Sequence, residues 1–333
     1  MARGSLFLFA LLVAGALAAC TGGGGTPAPP TPVPTASLPP STTLWVTAGS
    51  TAPPASFHSE VDVFPVGATG NTGPTRQIGV STTFGTFPES VAVDSLGNAY
   101  IGVSAHGFQI TSPSSCGTGC AGTSFVMTGA SSVFGIALDS ARCVYVSAGT
   151  AIEVYNNGVK QATIPNASTN PVAGLAVDRS DNVYAIDSNS YTAGSNNVQP
   201  SIAIFHGGVC GTQSFQSAIG GSNTQLVSPA QIVLDAAGFI YVSDAFAKSV
   251  FVYAPGATGN VAPVRTIAGS NTGFQKPWGI AVDSLGVLHV GDQAANAVFN
   301  FPAGATGNVA PTNTLTGPTA GGGFNGPLGI TTQ

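Results

Sequence analysis

Five times the chain repeats one phrase: a small or polar residue, an apolar residue, Ala or Val, another apolar residue, Asp, a short turn, then a second short strand, usually apolar-Tyr-apolar. The copies are Ser90-Val91-Ala92-Val93-Asp94 with Ala99-Tyr100-Ile101, and Gly135-Ile136-Ala137-Leu138-Asp139 with Val144-Tyr145-Val146. Next come Gly174-Leu175-Ala176-Val177-Asp178 with Val183-Tyr184-Ala185, and Gln231-Ile232-Val233-Leu234-Asp235 with Ile240-Tyr241-Val242. The fifth is Gly279-Ile280-Ala281-Val282-Asp283 with Leu288-His289-Val290. The aspartates lie 45, 39, 57 and 48 residues apart. A period of this size belongs to units that cannot bury their faces alone and must stack on their neighbours.

The units read as strands. Each run is short, β-branched or aromatic, and bounded by turn residues. Asp-Ser-Leu-Gly, at 94–97 and again at 283–286, is a hairpin turn: the Asp can accept backbone N–H bonds and the Gly takes positive φ. The first strand, A, is continuously apolar, as a strand packed on both faces requires. Strand B carries the Tyr. A third strand, C, follows at 151–155, 201–205, 249–253 and 297–301, and a fourth, D, at Arg265-Thr266-Ile267 and its equivalents. The phrase Gly-Ala-Thr-Gly-Asn links C to D at 67–71, 256–260 and 304–308, with a proline three residues on, and reads as a rigid turn.

The two ends set the closure. Pro327-Leu328-Gly329-Ile330 matches Pro277-Trp278-Gly279-Ile280, and the chain stops with that strand. Leu44-Trp45-Val46 matches Leu288-His289-Val290, so the folded region begins at strand B. One blade is therefore expected to take three strands from the N-terminal side and one from the C-terminal side. The expected fold is all-β: a six-bladed β-propeller of four-stranded blades over 43–333, its closing blade built from both chain ends. The 57-residue interval leaves room for a degenerate extra blade. A closed ring has no free sheet edge, and a monomer is expected.

The repeated pattern Pro-x-Gly-φ-Ala-φ-Asp-x-x-Gly-x-φ-Tyr-φ-x-Asp is similar to the NHL repeat, best at 277–292, 88–103 and 229–244. The resemblance implies a β-propeller and little chemistry, because propellers of this kind include sensor domains, lyases, and protein- and RNA-binding modules.

Ahead of the repeats lie two segments of different composition. Residues 1–19 have a basic Arg3, an apolar run from Leu6 to Leu17, and the sequence Leu17-Ala18-Ala19-Cys20. This resembles a bacterial lipobox, which implies a cleaved signal peptide and a lipidated Cys20 holding the protein to a bilayer, exported to the cell envelope. The alternative is an ordinary secretory signal. Residues 20–42, with four consecutive glycines and then many prolines, form a tether that cannot build a core.

Only 6% of residues are charged, against about 25% in an ordinary domain. With a net charge of −5 and no basic run, nucleic acid is excluded as an expected partner. After Cys20 four cysteines remain, Cys116, Cys120, Cys143 and Cys210, an even number suited to disulfides in an exported chain. They allow three pairings; Cys116–Cys120 with Cys143–Cys210 is favoured, and zinc binding is the alternative.

Candidate site residues follow from strand direction. If strand A runs from a top face to a bottom face, the D–A and B–C loops lie on top. The top ring before strand A then holds Glu89, Phe134, Ala173, Ala230, Trp278 and Leu328. The B–C loops add His58, His106, Asp187, Tyr191, Asp244, Phe246, Lys248 and Asp292. The expected ligand face uses Glu89, Phe134, Trp278, Tyr191, Asp244 and Asp292 to contact a protein, peptide or glycan. Asp244 and Asp292, like Asp187, have a competing role in bracing the B–C hairpins. The rival reading is a lyase or hydrolase with Glu89 as acid/base, assisted by His106 or His58. No metal or cofactor is expected, because no His/Glu cluster has ligand spacing. The five turn aspartates read as caps, and His289 as a packed ring in a Tyr slot. A spacer without a ligand is the third reading.

Overall fold

A computed structural model describes residues 41–50, 58–79, 88–103, 107–111, 133–165, 171–188, 199–211, 213–317, 324 and 326–333. Six antiparallel sheets account for them. Blade 1 contains β1 (Thr43–Ser50), β2 (His58–Pro65) and β3 (Arg76–Gly79). Blade 2 contains β4 (Pro88–Val93), β5 (Ala99–Val103) and β6 (Gly107–Thr111). Blade 3 contains β7 (Ile136–Leu138), β8 (Val144–Ala148), β9 (Ala151–Asn156) and β10 (Val159–Pro165). Blade 4 contains β11 (Val172–Val177), β12 (Val183–Asp187), β13 (Ser201–Gly207) and β14 (Gln213–Gly220). Blade 5 contains β15 (Pro229–Leu234), β16 (Ile240–Asp244), β17 (Ser249–Tyr253) and β18 (Arg265–Ala268). Blade 6 contains β19 (Pro277–Val282), β20 (Leu288–Asp292), β21 (Ala297–Phe301) and β22 (Asn313–Leu315).

The last strand, β23 (Ile330–Thr332), completes blade 1. It pairs antiparallel with β1 in the register Val46↔Ile330, Trp45↔Thr331 and Leu44↔Thr332. Blade 1 is thus assembled from both ends of the chain, and every blade but blade 2 shows four strands among the described residues.

Packing closes the ring. Six apolar clusters occupy the six interfaces between successive blades, the sixth joining blade 6 to blade 1 through Leu44, Phe64, Val298, Leu315, Phe324 and Ile330. Each fully buried side chain of this kind contributes about 2 kcal/mol relative to exposure. The inner strands β4, β7, β11, β15, β19 and β23 surround a narrow channel of about 300 Å³. Four blades place glycine at one matching point, within the inner strand (Gly174, Gly279) or just ahead of it (Gly135, Gly329), for a steric reason: a Cβ on Gly279 would lie 2.7 Å from the Leu328 carbonyl oxygen, and one on Gly135 2.5 Å from that of Ala173.

The turn aspartates behave as caps. Asp94 accepts bonds from the amides of Leu96 and Asn98 and from the Tyr100 hydroxyl, and Asp139, Asp178 and Asp235 repeat this with Tyr145, Tyr184 and Tyr241. Burial, then the adjacent carboxylate, pushes the Tyr100 hydroxyl up to about 12. His289 fills the Tyr slot of blade 6 as a buried ring, its Nδ1 2.8 Å from Asn300 Oδ1 and its Nε2 3.6 Å from Asp283.

The Gly-Ala-Thr-Gly-Asn turn does more than reverse direction. Gly259 donates to the Ala218 carbonyl and accepts from Gly220, so the C–D loop of blade 5 adds a bridge to the outer strand of blade 4. Gly307 does the same to β18, and Gly70 to the Thr314–Thr316 backbone. Asn260 and Asn308 extend the latch by accepting the amides of Asn223 and Asn271, 2.7 Å each.

Candidate functional site

The top ring is built by a local irregularity of the inner strands. In β4, β11, β15 and β19 the register to strand B slips just after the first residue. A bulge of this kind re-aims side chains. Where strand B carries Ser or Thr at the matching position, its hydroxyl takes the amide at this point: Gly135 N donates to Ser147 Oγ, Gln231 N to Ser243 Oγ, and Gly329 N to Thr47 Oγ1.

Around the mouth the ring positions run Glu89, Phe134, Ala173, Ala230, Trp278, Leu328, one per blade. Phe134 of blade 3 and Trp278 of blade 6 therefore stand at opposite positions, both half-buried. Their backbones are held by polar side chains from other blades. Gln231 of blade 5 reaches past Gly174 of blade 4 to donate to the Phe134 carbonyl. Ser243 Oγ donates to the Trp278 carbonyl. Lys276 Nζ sits 5.4 Å from the Trp278 ring centroid, a cation–π contact. Phe246, on the B–C turn of blade 5, is 73% exposed and adds an aromatic outside the ring. Glu89 is half-buried at the same mouth, and the neighbouring Ser90 donates to the Val133 carbonyl at 3.2 Å.

Two of the expected ligand residues are placed differently. Asp244 and Asp292 are fully buried. Asp244 accepts the amides of Val227, Ser228 and Ala247; Asp292 accepts those of Gln275, Lys276, Ala294 and Ala295. Each carboxylate bolts the D–A loop to the B–C turn, so neither presents an oxygen to a ligand. Asp187, their counterpart in blade 4, is also buried, with Oδ1 lacking a partner among the described residues. Tyr191, His106, Cys20, Cys116 and Cys120 lie outside the described residues, and His58 opens β2 with its side chain outside them.

Cys143 and Cys210 form a disulfide across 67 residues, joining blades 3 and 4, with Cα atoms 5.3 Å apart. Asp139 lies beside it, within 4.8 Å in ligand-atom distance, the one such grouping among the described residues. Both sulfurs are bonded to each other, and the Asp139 oxygens accept the amides of Ala141, Cys143 and Cys210. The grouping thus reads as a cross-link and its brace.

Sequence reasoning passed over Gln231, although its place in a glycine slot was the available signal. It also left Glu60 and Asp62 unexplained. These alternate on β2, face the same way, and share the Gln77 amide at 3.2 and 3.1 Å. Burial, and then the Glu60 charge, pushes the Asp62 carboxyl up to about 7 despite the Gln77 bond; burial raises Glu60 as well.

A family model described as a β-propeller repeat matches residues 75–107. No curated protein matches the chain. Among solved structures the chain resembles one from a nidogen/laminin complex, at 16% identity and a TM-score of 0.62, covering 87% of this chain and 98% of the other. It also resembles a protein of unknown function from Bacteroides caccae, at 10% identity and 0.60, covering 88% and 99%. A functionally unknown protein from Desulfotomaculum acetoxidans matches at 12% identity and 0.52, covering 87% and 98%. At these identities the likeness concerns the fold. The chain is a β-propeller. No helix among the described residues is long and apolar enough to cross a membrane.

Proposed function

We propose that this propeller is a binding module, without catalysis of its own, held to the bacterial cell envelope by an acylated Cys20 and the Gly/Pro-rich tether that follows it as far as Ser41, where the chain is hydrogen-bonded to the fold. Its top face takes a protein, peptide or glycan. The carrying observation is the mouth itself: Phe134 and Trp278 at opposite ring positions, each with its carbonyl held by a side chain from another blade. Rigid aromatic anchors lose little conformational entropy on binding, and aromatic side chains dominate interface hot spots. The lipobox-like Leu17-Ala18-Ala19-Cys20 supports export and acylation.

The test has two arms. Envelope peptides and glycans are screened against the purified protein, and any hit is measured again with Trp278→Ala and Phe134→Ala. Each variant loses about 30-fold in affinity, the scale of a hot spot, while its unfolding midpoint stays near that of the parent. Unchanged affinity in both variants sinks this face as the site. Metabolic labelling with a fatty acid checks the anchor: Cys20→Ala abolishes incorporation.

A further inference from the structure

We propose that the face carrying the A–B turns rests on an anionic lipid bilayer, so that the aromatic mouth points away from it. This rests on the acylated-tether reading above. The first observation is where the chain arrives. The Ser41 amide donates to Ser284 Oγ at 2.7 Å, and the Ser284 amide donates back to Ser41 Oγ at 3.1 Å. Thr42 and Thr43 donate to the Gln333 carbonyl. The segment leading from Cys20 therefore joins the fold on the side of the A–B turns, opposite the ring of Phe134 and Trp278.

The second observation is what surrounds that point. Blades 6 and 2 flank the closing blade, and each carries the turn Asp-Ser-Leu-Gly. Leu285 is 70% exposed and Leu96 67%. Both turns are stiff, because Asp283 Oδ1 and Asp94 Oδ1 accept the leucine amides at 2.9 Å. Gln333 Nε2 donates to the Asp94 carbonyl, which ties the second turn to the same end of the chain. Two apolar side chains thus project beside the point of arrival, and neither belongs to an apolar cluster of the described residues.

The third observation is charge. The carboxylates of Asp94, Asp139 and Asp283 are buried in their own turns, and those of Asp178, Asp181 and Asp235 are half-buried and accept hydrogen bonds from turn amides. Arg142 and Arg179, on the turns of blades 3 and 4, are exposed. Exposed leucines and guanidinium groups on one face match the boundary between acyl chains and anionic headgroups. Four side chains would capture no vesicle from dilute solution. Their role is to orient a domain that the tether already holds at high local concentration.

The experiment uses the full chain, acylated in a bacterial host, on vesicles of 30% phosphatidylglycerol in phosphatidylcholine and on vesicles of phosphatidylcholine alone. Flotation reports the anchor. Orientation is read from Leu285→Trp against Phe246→Trp on the opposite face, with brominated acyl chains as quencher. The expected result is at least twofold stronger quenching at position 285 than at 246 on the anionic vesicles. That ratio falls towards one on phosphatidylcholine and in Arg142→Gln/Arg179→Gln. Leu96→Trp repeats the measurement should the 285 variant not fold. A protein that floats with equal quenching at both faces overturns the inference and leaves the anchor standing. Equal ratios on the two vesicle types overturn its anionic part. A protein that does not float refutes the acylated tether, and the inference falls with it.

Discussion

Blades 5 and 6 and the pair formed by blades 3 and 4 solve one problem with different chemistry. In blades 5 and 6 the C–D loop leans back on the preceding blade as a repeated latch of glycine backbone and one asparagine. In blade 4 the loop in the same topological position carries Cys210, which reaches back to blade 3 covalently and donates its amide to Asp139 at 2.9 Å. Blade 4 adds a further tie: Asp181 accepts the amide and hydroxyl of Ser140, 2.8 Å each. The top differs too. Blades 5 and 6 hold a buried Asp saturated by loop amides, whereas Asp187 of blade 4 has an oxygen with no partner among the described residues. Among the described residues, the blade pair without the repeated latch and bolt is the one that carries the cross-link.

The comparison can be broken most severely at the disulfide. Cys143→Ser/Cys210→Ser releases a 67-residue loop and should lower stability by about 4 kcal/mol, read from denaturant titrations with and without reductant. A loss below 1 kcal/mol would mean that Asp181 and the packing of blades 3 and 4 suffice. Next comes the bolt. Asp292→Ala orphans four amides in blade 6 and should cost about 3 kcal/mol, while Asp187→Ala, which breaks no such set, should cost under about 1 kcal/mol. Equal losses would erase the distinction drawn between the blades.

The closing blade offers a test by pH. With a folded carboxyl near 7 and an unfolded one near the ordinary aspartate value of 3.8, Asp62 binds more protons folded than unfolded. Its stabilising effect is complete below about pH 4 and is lost as pH rises through 7, on the order of 2 kcal/mol after relaxation. The melting temperature should therefore fall across that window and level off above it, and Asp62→Asn should flatten the slope. An unchanged slope in that variant would move the effect elsewhere. The smallest change is Asn260→Ala, which removes one latch acceptor for about 1 kcal/mol, measured by thermal unfolding; the latch backbone should persist.

Much of this fold could be read before any coordinates, because a propeller writes its period into the chain. Strand A needs apolar residues on both faces, the turn needs Asp, and Tyr must reach that Asp, so each blade repeats its own local chemistry within about ten residues. The site was less legible. Phe134 and Trp278 could be placed on the mouth by counting, yet Asp244 and Asp292 were expected there as ligand residues and are buried bolts instead. Strand direction says which end a residue occupies; it does not say whether a loop folds over it.

By itself the sequence determined the strand order, the phase of the repeat and the blade shared between both ends, since these follow from local patterning and from which strand each end lacks. Only the tertiary structure decided what crosses between blades: Gln231 on the Phe134 carbonyl, glycine loops on a neighbour's outer strand, and Cys143 with Cys210 out of three pairings. The physical reason is separation. Such contacts join groups tens of residues apart, and their geometry is set by how the twisted blades pack, which no single repeat contains.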